Sequence, residues 1–169
     1  MVKKIFYINS EMDPFASVSN LANLSVEIPL GLQEKGNDVR CLMPKYGFIS
    51  ERKYILREVI RLKEILFDYD DNKYECSAKS AFLPKSRLQV YFLENEDQFG
   101  DLNNLLFKSK NGRFHSDNDI RFAFYSLASI KMLPNLFWFP NIIICNGWTS
   151  ALVPFLLKNL AEKNKELSK

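Results

Sequence analysis

The sequence predicts an α/β domain, a three-layer α/β/α sandwich on a mainly parallel, twisted sheet. Three observations carry this. "KKIFYINS", "DVRCLMP" and "NIIICN" are short apolar runs, as expected of parallel strands covered on both faces. Between the first two, Leu21, Leu24, Ile28 and Leu32 recur at helical spacing. The β-α-β order, with a crossover of that length, makes a right-handed, Rossmann-like unit.

The elements follow in chain order. The first strand runs into the loop "EMDPFASVS", where Ser19 or Asn20 can cap the coming helix. Gly36 is placed to end that helix, and Pro29 inside it predicts a kink or a break. "DVRCLMP" is the second buried strand. "LREVIRLKEILFDY" fits helix and strand equally well, and the acidic "LFDYDDNKYE" reads as a solvated hairpin or loop. "KYECSAKSAFLP" and "RLQVYFLEN" are strands separated by a turn at Pro84 to Ser86, an antiparallel excursion in mid-chain. "EDQFGDLNNLLFKSKNGRFH" is polar and irregular. "SDNDIRFAFYSLASIKML" opens like a capping box, with Ser116 as cap and Asp119 three residues on, and continues as an aromatic-rich helix. After "NIIICN", the closing helix "WTSALVPFLLKNLAEKNK" frays into lysines, with Trp148 expected to anchor it in the core.

At 169 residues the chain fits a single domain, 1–169, able to bury roughly two thirds of its unfolded surface. The 14 Phe, 7 Tyr and 2 Trp make an aromatic core. Much of the net charge of +3 sits in the final "KNLAEKNKELSK", and no basic face with interleaved aromatics appears, so no nucleic-acid partner is expected. No apolar run approaches the roughly 20 residues that span a bilayer, and the N-terminal run stops too soon for a secretory signal. Cys41, Cys76 and Cys145 contain no CxxC pair and read as reduced thiols of a cytoplasmic protein. The lone His115 excludes a multi-histidine metal site, and "SDND" matches no calcium loop. No metal or cofactor is expected.

Three motifs carry a resemblance. "SEMDPFASVSNLANLSVEIPLGLQEKGNDVRCLMPKYG" follows the pattern S-E-x-x-P-F-A-K-T-G-G-L-A-D, then a helix with an internal proline, then P-K-Y-G. "DNDIRFAFYS" echoes D-N-x-x-R-F-A-F, and "NGWTSALVPFLLK" echoes H-D-W-H-T-A-L-V-P. In this order, from Ser10 to Lys158, the chain resembles the N-terminal domain of the bacterial glycogen and starch synthases. These are retaining glycosyltransferases of GT-B architecture, so the resemblance implies one Rossmann-like half of a GT-B enzyme. The reaction it implies transfers glucose from ADP-glucose to the non-reducing end of an α-1,4-glucan.

The resemblance also implies a site. In the family the lysine of K-T-G-G lies against the donor phosphates, and the glycines let the backbone approach. Here those four positions hold Ser17, Val18, Ser19 and Asn20. Ser17 offers one neutral hydrogen bond where the family has a charge-assisted one, and Ser19 and Asn20 crowd the approach. The first His of H-D-W-H, which lines the sugar pocket, is matched by Asn146, which cannot titrate near neutral pH. Gly147 and Thr149 replace the Asp and the second His. Lys45 and Tyr46 match P-K-Y-G beyond the second strand, where parallel sheets place ligand loops. A sugar or phosphate contact and a purely structural turn explain that pair equally well.

The candidate substrate pocket is therefore Ser17, Asn20, Lys45, Tyr46 and Asn146, with no catalytic residue assigned. A second GT-B domain, which in the family carries most donor-binding and acidic groups, finds no room in 169 residues. Two functions stay open. One is a glycogen-synthase-like domain, inactive on its own, its partners ADP-glucose or α-glucan and a separate C-terminal GT-B domain. The other is a non-catalytic glucan-binding or regulatory domain. The apolar last helix also suggests a homo-oligomer.

Overall fold

The computed structural model describes residues 1–69, 71–102, 104–162 and 167. β1 (Lys4–Ile8) leads through a loop to α1 (Leu21–Glu34) and β2 (Asp38–Pro44), the β-α-β unit read from the sequence. α2 (Glu51–Tyr54) is one turn, capped by the Ser50 hydroxyl accepting the Lys53 N–H at 3.2 Å. The ambiguous "LREVIRLKEILFDY" resolves into β3 (Arg57–Glu58), a 3-10 turn at Ile60–Leu62 and β4 (Ile65–Tyr69). β4 forms a hairpin with β5 (Asn72–Phe82), and β6 (Gln89–Glu94) follows the turn at Pro84 to Ser86. α3 (Glu96–Phe99) is a single turn in the segment read as irregular. α4 (Asn118–Lys131), α5 (Leu133–Leu136), β7 (Ile142–Cys145) and α6 (Val153–Ala161) complete the chain. The expected lysine fray lies mostly outside the described residues.

The sheet is open and mixed, in the order β3-β5-β6-β2-β1-β7, with β4 paired to β5. β6, β2, β1 and β7 are mutually parallel, while β5 runs against β6 and β3 against β5. The parallel part reverses direction of growth at β1, which has β2 on one side and β7 on the other. Such a reversal opens a crevice beyond the strands' carboxyl ends.

Successive β1 side chains point to opposite faces. Phe6 meets Trp138 edge-on at 6.1 Å on the side of α4 and α5. On the other side α1 buries Ala22, Ser25 and Pro29 against the sheet. α1 runs unbroken through Pro29. The proline lacks the N–H that would have reached the Ser25 carbonyl, and the turn is held by the Ser25 hydroxyl donating to the Leu21 carbonyl at 2.8 Å. Phe6, Tyr7, Phe92, Phe99 and Tyr125 are fully enclosed. Each such side chain contributes roughly 1.5–3 kcal/mol by leaving water.

Two sequence expectations change. The capping box at Ser116 does not form: α4 begins after Asp117, whose carboxylate instead grips Arg121 through both oxygens at 2.9 and 2.6 Å. An arginine one turn on offers two charge-assisted bonds, where a cap would offer one neutral bond. Trp148 is not a core anchor. It lies in a 3-10 turn (Trp148–Ser150) ahead of α6 and keeps 50% of its surface in solvent. No helix among the described residues is long and apolar enough to cross a membrane, and all three cysteines are free.

Candidate functional site

The site forms where β1 and β7 end side by side. Register pairs Ile8 with Leu42 and with Cys145, so the next step sets Asn9 beside Asn146. The Asn146 N–H donates to the Ile8 carbonyl at 2.8 Å, and the Asn9 N–H to the Leu42 carbonyl at 3.0 Å. The Tyr125 hydroxyl of α4 donates to the carbonyls of Asn9 (2.6 Å) and Leu42 (2.9 Å), locking both strand ends from below.

Beyond Asn9 the chain turns over a buried acid. Glu11 is 1% exposed, and its carboxylate accepts the N–H of Val18 at 2.9 Å, the N–H of Ser19 at 2.8 Å and the Ser19 hydroxyl at 2.8 Å. Three donors satisfy a carboxylate that burial would otherwise penalise. Ser19 also accepts the Leu21 N–H at 3.1 Å and so starts α1, whereas the Asn20 side chain makes no cap bond. The loop's inward N–H groups are therefore spent on an internal anion. Ser17 and Asn20 stand exposed on its outer side.

Asn146 is half-buried and donates its side-chain amide to the Ser25 hydroxyl at 3.0 Å. Gly147 follows at φ +84°, and a Cβ there would stand 2.9 Å from Leu21 Cδ2. Both angle and space select glycine. The Asn9 amide and the Thr149 hydroxyl are buried at this end of the sheet without a hydrogen-bond partner among the described residues. Groups of this kind cost stability and collect where a fold serves a ligand.

The other two candidates stand on the β2–α2 loop. Lys45 is half-buried, with its ammonium 3.8 Å from Glu51 and 3.5 Å from the Tyr46 carbonyl. Lys79 and then Lys45 hold the Glu51 carboxyl below its usual range. Tyr46 is fully buried and donates its hydroxyl to the Ser10 carbonyl at 2.8 Å. Burial first, and then the Glu11 charge, raise its pKa well above the usual value. Tyr46 thus braces the start of the Glu11 loop and offers no face to a ligand. Gly47 is fixed by contact: its Cβ would fall on the Gly100 carbonyl oxygen, and its N–H donates to the Phe99 carbonyl at 3.2 Å.

The arrangement can hold neutral, hydroxyl-rich groups and is poor for anions. Among the candidate residues Lys45 is the one cation, and it faces Glu51. The family model for the starch synthase catalytic domain matches residues 4–169.

The chain belongs to this family.

Glycogen synthase of Chlorobium limicola is 36% identical over 165 residues, covering 98% of this chain and 34% of the relative. That of Chlorobaculum tepidum is 36% identical over 161 residues, covering 95% and 33%. The catalytic domain of starch synthase IV from Arabidopsis thaliana, bound to ADP and acarbose, superposes with a TM-score of 0.78 at 25% identity. It covers 96% of this chain and 32% of the plant chain. The chain spans about a third of the length of the curated relatives it matches.

In this starch synthase family domain, the first and third motifs flank the β1–β7 crevice, while the second builds a support. There Arg121 donates to the Gln98 carbonyl at 2.7 Å and to Asn118 at 2.9 Å as well as to Asp117. Reading residues alone missed Glu11, Asn9, Ser25 and Tyr125. Glu11 had a signal: a carboxylate directly after a buried strand must find donors nearby. Ser25 and Tyr125 had none, because a hydroxyl inside an apolar helix face is legible only once its partner is placed.

Proposed function

We propose that this chain is the acceptor-side domain of a glycogen-synthase-type glucosyltransferase, and that residues 1–169 by themselves transfer no glucose from ADP-glucose. The observation that carries the reading is the loop at Val18 and Ser19, whose N–H groups close on the Glu11 carboxylate with no lysine alongside. A donor diphosphate brought there meets a buried negative charge and no cation to offset it. The missing groups would be supplied by a second GT-B domain, and the three free thiols suit a cytoplasmic setting. The test is incorporation of labelled glucose from ADP-glucose into glycogen by the purified chain, with calorimetry of ADP-glucose alongside. No incorporation and no saturable heat are expected. Measurable transfer overturns the reading.

A second reading, a non-catalytic glucan-binding or regulatory domain, is favoured by the exposed rings of Phe114 and Trp148 beside the crevice. Saturable binding of maltooligosaccharides without ADP-glucose binding, by a chain that stimulates no transfer when a catalytic domain is added, separates it from the first.

A further inference from the structure

Phe107 and Phe114 stack at 5.7 Å with 12° between their planes, and Trp148 meets them edge-on at 5.5 and 6.3 Å. Phe122, buried in α4, stands edge-on to Trp148 at 5.0 Å and holds it from below. Phe114 and Trp148 nevertheless keep 61% and 50% of their surfaces in solvent. A tight turn presents these rings. Lys108 and Phe114 form an antiparallel bridge, the Ser109 N–H donates to the Arg113 carbonyl at 2.8 Å, and the Gly112 N–H to the Ser109 carbonyl at 2.8 Å. The Lys108 ammonium lies 5.2 Å from the Phe114 ring centre. Large rings held in a fixed array and left in water mark a surface that something covers.

Resting on the family reading above, we propose that Phe114 and Trp148 form a stacking subsite for neutral glucose units of an α-1,4-glucan, with Lys108 at its margin. A pyranose has one flat C–H face and a rim of hydroxyls. Its face covers an aromatic ring without any charge, and its rim finds donors in the Lys108 ammonium and the Asn111–Arg113 turn. A nucleoside diphosphate could stack its base here, but the neighbouring loop confronts its phosphates with Glu11 and no lysine. Trp148 follows Asn146 and Gly147 directly in the chain, so a glucan on the rings extends toward the β1–β7 crevice.

The test titrates the full chain with maltoheptaose, followed by tryptophan emission and calorimetry. Trp138 is 4% exposed, so Trp148 is the solvent-facing reporter. Saturable binding is expected, weakened about tenfold or more in Phe114→Ala, as for loss of an aromatic anchor. Phe114 is exposed, so that variant should unfold at the wild-type temperature, and Trp148→Phe should retain part of the affinity. No saturable binding, or binding indifferent to Phe114→Ala, overturns the proposal. Binding of ADP with the same Phe114 dependence, in place of maltoheptaose, overturns it as well and assigns the rings to a base. Binding is read without turnover, so a flat maltoheptaose titration removes the subsite and leaves the reading above intact. Glucose transfer from ADP-glucose does the reverse.

Discussion

The Asn146 side chain donates to the Ser25 hydroxyl at 3.0 Å, and Ser25 donates in turn to the Leu21 carbonyl at 2.8 Å. This relay joins the end of β7 to the first turn of α1 across the crevice. Asn146→Ala removes its first link. The expected cost is about 1 kcal/mol, seen as a lower urea midpoint at unchanged slope. An unchanged midpoint would show that the relay does not hold the two elements together.

Glu11 holds the loop more firmly. Glu11→Gln replaces an acceptor-only carboxylate by an amide whose NH2 faces donors already aimed at it. A loss of about 1–3 kcal/mol is expected. Hydrogen exchange should accelerate at the Val18 and Ser19 amides before the rest of the sheet. Uniform acceleration would instead mean that Glu11 supports the whole fold.

Ser17 is exposed on the loop's outer face, so Ser17→Lys can be made without disturbing the core. It places an ammonium beside the Glu11 loop. Calorimetry should then detect ADP binding that wild type lacks, and high salt should weaken it because the site is open to solvent. Failure to gain any binding would shift the cause from the missing cation to the side chains at Ser19 and Asn20.

The legible part of the molecule was the part with periodicity. Apolar runs gave β1, β2 and β7, and helical spacing gave α1, because burial on two faces or one stripe leaves a pattern in the chain. The segment from Leu56 to Tyr69 defeated that logic: it is a two-residue strand, a 3-10 turn and a hairpin arm, none long enough to show a period. Motif order pointed to Asn146 and the Ser17–Asn20 loop. The Asp117–Arg121 clamp was hidden because a polar residue before a helix reads first as a cap. Exposure of Trp148 was hidden because a tryptophan in an apolar stretch reads first as core.

Burial sets the response to alkali. It pushes the Cys76 thiol from an ordinary 9.0 up to about 12 and the Tyr7 hydroxyl from 10.0 up to about 12. Cys41, Tyr46 and Tyr125 are raised too, again by burial first. These groups hold their protons more tightly folded than unfolded. Their contribution is complete below the unfolded values and is lost as pH rises toward the folded ones. The melting temperature should therefore fall from about pH 9 upward. A flat profile from neutrality to about pH 11 would contradict the enclosure of these side chains.

Self-association is the last expectation, and the surface beside β7 argues for it. β7 is the outer strand on its side of the described sheet, and Ile142 is 43% exposed. Between β7 and α6 lies a groove of about 310 Å³ lined by Leu133, Ile143, Cys145, Val153 and Leu157. Phe155, at 63% exposure, and Leu152, at 45%, extend the apolar surface along α6. An apolar rim around an unpaired strand edge is a poor surface to leave in water at high concentration. Light scattering should show a mass that rises with protein concentration, and Phe155→Glu should return it to the monomer value without lowering the melting temperature. A monomer mass held across a hundredfold range of concentration would rule this surface out as a contact between copies, leaving its apolar rim without a partner of its own kind.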